Sequence, residues 1–210
     1  METAKAWWAC SVLLRRRRAR CRRMLDVLNG VSPALILNDR RDVPAANHLA
    51  SALIAGFDAL PHRDRNLVRY ILLDPGAREL YTDWDEVGEV VAADLRLAAG
   101  RRPDDSRLSE LIGELCVKVP ESTAGGPAIG WISALTAFSV FHPPLVGELT
   151  LYRETLTFPA DPDQIMCLYT AEPGTASAQA LGLLASWTAP DSTVRGASPE
   201  SGITRGRILS

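Results

Sequence analysis

Three histidines, four cysteines and a few grouped carboxylates are the side chains of this 210-residue sequence that could bind a metal, move a proton or attack an electrophile. His48, His62 and His142 fall in separate stretches, with no carboxylate or cysteine at ligand spacing, so no metal site is expected. Cys10, Cys21, Cys116 and Cys167 are far apart and make no Cys-x-x-Cys, a pattern of free thiols rather than of a disulfide framework. Asp83, Asp85 and Glu86 could be paired acids, but crowded at a predicted helix start they are better explained as capping and dipole-compensating groups. Gly125-Gly126 lacks the following lysine and the strand-to-helix context of a phosphate loop, and there is no Gly-x-Ser-x-Gly elbow or Gly-x-Gly-x-x-Gly. The sequence thus predicts a non-enzymatic protein without a cofactor.

The concentrated charge is basic and lies at one end. Met1 to Leu25 holds Lys5 and seven arginines against Glu2, and removing these from the totals of 23 basic and 25 acidic residues leaves 15 and 24, a net of −9. An acidic body repels phosphate backbones, so any nucleic-acid contact would pass through this arm, with Arg15, Arg16, Arg17 and Arg18 as candidates. A solvated linker is the simpler account of the run. Apolar Trp7 to Leu14 precedes the arginines, the reverse of a secretory signal, and together with the thiols this predicts a cytoplasmic protein. At 47% hydrophobic and 23% charged residues the chain can bury one sizeable core.

The elements that must build this core are clearest between His142 and Gly174. There two apolar-rich runs, Gly147 to Phe158 and Gln164 to Ala171, flank a Pro/Asp-rich link and predict strand, turn, strand. In the first run the apolar phase flips near Arg153-Glu154, which predicts a β-bulge or a strong local twist. The second, Ile165 to Tyr169, is apolar at every position, as in a central strand covered on both sides. Upstream, Ala34 to Leu37 reads as a strand, Asn38 to Arg41 as a turn, and Ala45 to Phe57 as a helix. Helical stripes follow in Arg65 to Leu73, Ala77 to Tyr81, Thr82 to Gly100 and, behind Asp105, Leu108 to Val119. Thr175 or Ser177 caps a last helix ending near Trp187. Ser122 to Phe141 carries no charge, and its apolar run is too short to span a bilayer.

Several ordered blocks within these elements go further. Pro33-Ala-Leu-Ile-Leu, Ala46-Asn-His-Leu-Ala50, Arg65-Asn-Leu-Val-Arg69 with Leu73-Asp-Pro75, Ala77-Arg-Glu-Leu-Tyr81, Val146-Gly-Glu-Leu-Thr-Leu151 and Tyr169-Thr-Ala-Glu-Pro-Gly174 together resemble the MmyB-like ligand-binding domain. That domain is the C-terminal half of XRE-type helix-turn-helix transcriptional regulators. The resemblance implies an α+β, PAS-like fold with a mainly antiparallel sheet covered by helices. It also implies a pocket for a fatty-acid-like or other apolar small molecule, and a homodimer whose state the ligand biases. Candidate pocket residues are Leu35, Leu37, Asn47, Leu53, Phe57, Tyr70, Ile71, Leu151, Met166 and Leu168, with Arg69 as the cation for a carboxylate head group.

The expected organisation is a basic arm or linker over 1–23, the ligand-binding domain over 24–187 and a disordered tail over 188–210. Two departures from the family pattern stand out. Met1 to Arg23 is too short for a helix-turn-helix, so DNA binding is expected only through a missing domain or weakly through the arm. In Ser122 to Phe141 the family's Trp, His and Arg residues are replaced by uncharged ones at unchanged length, as a segment read in a shifted frame between two compensating slips would be. Ordinary divergence in a loop is the alternative. A stand-alone interaction fragment, or a decayed one without ligand, is the second functional reading.

Overall fold

Strands β1 (Ala34–Asn38), β2 (Ala45–Ala46), β3 (Ser139–Phe141), β4 (Leu149–Thr157) and β5 (Gln164–Thr170) form one sheet in the order β2-β1-β5-β4-β3, with every neighbouring pair antiparallel. They belong to a computed structural model that describes residues 21–119 and 139–189. The arm with Arg15 to Arg18, most of Ser122 to Phe141 and the tail from residue 190 lie outside the described residues. The fold is α+β, consistent with the PAS-like expectation. β5 is central, and Met166, Cys167 and Tyr169 are buried on alternating sides of it, which accounts for its unbroken apolar run.

Of the two expectations for β4, a bulge or a strong local twist, the bulge is absent. Its register with β5 runs evenly from Tyr152↔Thr170 to Thr157↔Ile165. The apolar phase shifts because the strand changes which side is covered. Near its start Leu149 and Leu151 are fully buried in the main core, whereas Leu156, opposite Met166, lies on the other side beside Phe158 and is half exposed. Strand alternation is kept throughout, and only the cover moves.

Helix α1 (21–28) precedes β1 and ends at Gly30, whose φ of 78° suits a residue without Cβ. Helix α2 (His48–Leu53) is shorter than the predicted Ala45 to Phe57, because Ala45–Ala46 pair with β1 and Asn47 caps the helix. A 3-10 turn (Phe57–Ala59) follows. Helices α3 (Leu67–Leu73), α4 (Pro75–Leu80), α5 (Trp84–Arg101) and α6 (Ser106–Lys118) come next, and α7 (Ala176–Trp187) closes the described chain. Asn66, Asp74, Asp105 and Thr175 accept hydrogen bonds from first-turn amides of α3, α4, α6 and α7. Asp83 makes no such cap for α5. Helices α2 to α7 all send buried or partly buried side chains into one core with Leu35, Leu37, Leu149, Leu151, Cys167 and Tyr169. On the opposite side of the sheet Ala34, Ile36 and Met166 pack against Cys21 and Leu25 of α1.

Candidate functional site

Six of the predicted pocket residues meet on the helical side of the sheet. Leu35 and Leu37 of β1, Leu53 of α2, Phe57, Ile71 of α3 and Leu151 of β4 are all buried in the main core, and Tyr70 packs against it. Phe57 and Tyr70 are edge to face at 5.9 Å. Met166 and Leu168 are not part of this group. In the antiparallel register Leu35 stands opposite Cys167, so Met166 and Leu168 point to the α1 side with Ile36 and Ala34.

Asn47 is buried and makes three side-chain hydrogen bonds. Its Oδ1 accepts from the amides of Ala34 and Ala50, at 3.0 and 2.9 Å, and its Nδ2 donates to the Ser32 carbonyl at 2.8 Å. These bonds fasten the start of β1 to the start of α2, a structural task that occupies the amide oxygen and one of its two N–H donors.

Arg69 does not face the apolar group either. It lines a cleft of about 1090 Å³ together with Arg40, Asp42, Asp64, Arg65, Asn66, Arg107, Glu110 and Glu114. In that cleft its guanidinium is held by Asp64 at 3.2 Å and by Glu114, while Arg40 is held by Asp42 and Asp105. A carboxylate ligand arriving at Arg69 would meet two carboxylates already in place. Arg40 and Arg69 are thus already paired within the cleft, and of the predicted pocket residues it contains Arg69 alone.

Around Phe141 the helical side is aromatic. Phe141 of β3 is 5.0 Å from the Tyr81 ring and 5.6 Å, edge to face, from Tyr169. Burial pushes both phenols up, Tyr81 well above the ordinary tyrosine value, and pushes the Cys167 thiol up too; the nearby Arg153 guanidinium opposes the rise at all three. Tyr70, also chiefly through burial and then through Asp74, is pushed up to about 12. At all three positions burial favours the neutral phenol over the phenolate.

Arg153 is the residue that pattern reasoning missed. It pairs directly with Tyr169 and shares the alternation of Leu149 and Leu151, which turns it toward the helical side. Its Nε is buried without a hydrogen-bond partner. The signal for it in the sequence is that same alternation, which the apolar phase shift beginning at this residue obscures.

His142 meets two polar groups: its Nδ1 lies 2.9 Å from the Thr82 hydroxyl, and its Nε2 lies 3.5 Å from Glu148. With the bridge between Tyr81 and Phe141, this exposed contact fastens the α4–α5 junction to β3.

The family described as the MmyB-like transcription regulator ligand binding domain matches residues 18–184, and the chain belongs to that family. No curated protein sequence matches it.

Proposed function

We propose that this chain is the ligand-sensing regulatory domain of a helix-turn-helix transcriptional regulator and that it takes a fatty-acid-like molecule on the helical side of its sheet. The family match over residues 18–184 carries the regulatory reading. The apolar character of the ligand is supported by the clustering of Leu35, Leu37, Phe57, Tyr70 and Leu151 beside the Tyr81, Phe141 and Tyr169 rings. The protein works in the cytoplasm as a homodimer, and the ligand acts by binding one arrangement of the dimer more tightly than the other, since only differential affinity moves such an equilibrium. DNA contact belongs to a helix-turn-helix domain rather than to the acidic body.

Native mass spectrometry of the full chain purified from cells tests this directly. The expected result is a retained small lipid that organic extraction removes. A protein that is empty as purified and takes up no lipid from a mixed extract would overturn the sensing reading in favour of an interaction fragment.

A further inference from the structure

On the core side of the sheet stands a cation, Arg153, that no acidic side chain among the described residues pairs with. Arg153 lies in the middle of β4 on the helical side of the sheet, directly opposite the buried Tyr169. Its Nε is buried without a hydrogen-bond partner, and none of the ion pairs among the described residues includes it. The side chain as a whole is half-buried, but a guanidinium N–H shut off from water is costly until an acceptor reaches it. Arg69 also has a buried Nε without a partner, but its terminal nitrogens are taken by Asp64 and Glu114.

Around Arg153 the chemistry changes over a short distance. To one side of it stand the rings of Phe141 from β3, Tyr81 and, from β5, Tyr169, which are almost wholly buried. On the other, two positions further along the same side of β4, Thr155 is exposed. Arg153 thus sits where the apolar interior meets an open, hydroxyl-bearing strip of sheet.

We propose that Arg153 is the anchor for the acid group of the ligand, receiving a carboxylate on its Nε edge beside the Tyr169 and Tyr81 side chains while the apolar part of the molecule lies toward Phe141. A planar guanidinium matches a carboxylate through two parallel N–H bonds, and those bonds are strong where water is excluded. The assignment rests on the reading above that the ligand is apolar and fatty-acid-like, and it moves the head group from Arg69 to Arg153.

The test compares tetradecanoic acid with tetradecan-1-ol, equal in chain length, by calorimetric titration of the delipidated full chain at pH 8. Wild type should bind the acid about ten- to a hundredfold more tightly than the alcohol, the ratio expected of charge-assisted hydrogen bonds. Arg153→Gln should remove most of that ratio by weakening the acid alone, Arg153→Lys should keep part of it, and Arg69→Gln should leave it intact. Thermal melting of the ligand-free proteins guards against misfolding, because removing a charge that takes part in no ion pair should not lower the midpoint. If wild type binds both molecules equally, or if Arg153→Gln or Arg153→Lys binds with the full wild-type preference, the anchor is wrong while the sensing reading stands. If wild type binds neither, the apolar-ligand reading fails and takes the anchor with it.

Discussion

On one side of the sheet β1, β4 and β5 meet helices α2 to α7, and Leu35, Leu37, Leu149, Leu151, Cys167 and Tyr169 disappear into a large core; on the other, Ala34, Ile36 and Met166 meet α1 through Cys21 and Leu25. The thin side leaves Leu156 of β4 44% exposed and Val27 of α1 78% exposed, whereas Leu149 and Leu151 on the thick side are at 0%. The same strands therefore serve two solvents. What differs is how many neighbours can close around a lost side chain, and how completely a polar group there is cut off from water.

Leu151→Ala should break the comparison hardest if it is right. A fully buried leucine surrounded by several elements leaves a cavity that the packing cannot fill, and urea denaturation should report a loss of about 4 kcal/mol. Asn47→Ala comes next, at about 3 kcal/mol, because the Ala34 amide and the Ser32 carbonyl both lose a buried partner where the two sides join. Leu25→Ala on the thin side should cost less, about 2 kcal/mol, since α1 can settle onto the sheet. A cost for Leu25→Ala equal to that of Leu151→Ala would abolish the distinction between the sides.

The smallest effect is confined to alkali. The Tyr70 phenol is held up to about 12 by burial and by Asp74, against an ordinary value of 10.0. Its neutral form is favoured by folding, so the folded protein loses stability as pH rises from about 10 towards 12 and is unaffected below that window. Tyr70→Phe should match wild type in urea midpoint at pH 7 and fall less steeply through the alkaline window. Identical alkaline slopes would mean that Tyr70 is not sealed by the thick side.

How far these features could be read in the sequence depended on the range of the interaction. Asp105 and Thr175 were legible as caps because a cap acts within one turn, and β5 was legible as a doubly covered strand because its composition carries that information directly. Met166 and Leu168 were grouped with Leu35 and Leu37 because alternation says which residues of one strand share a side but not which side faces the helices. That depends on Leu35 meeting Cys167, a register set by distant segments. Arg69 was read as an available cation because its partner Glu114 belongs to α6, far along the chain. Arg153 was passed over for the converse reason: β4 does carry its orientation, but the change of cover along the strand imitates an irregularity of the backbone.

The order β2-β1-β5-β4-β3 has a consequence for the birth of the protein on the ribosome. β1 is among the first strands made and its partner β5 is the last, so β1 must wait, paired on one edge only by the two residues of β2, until almost the whole domain has emerged. Closing so long a loop is slow. Chains arrested before Gln164 should expose Ala34–Asn38 to brief proteolysis, and chains arrested well beyond Trp187 should protect it. Protection in the shorter chains would show that β1 finds its place without β5.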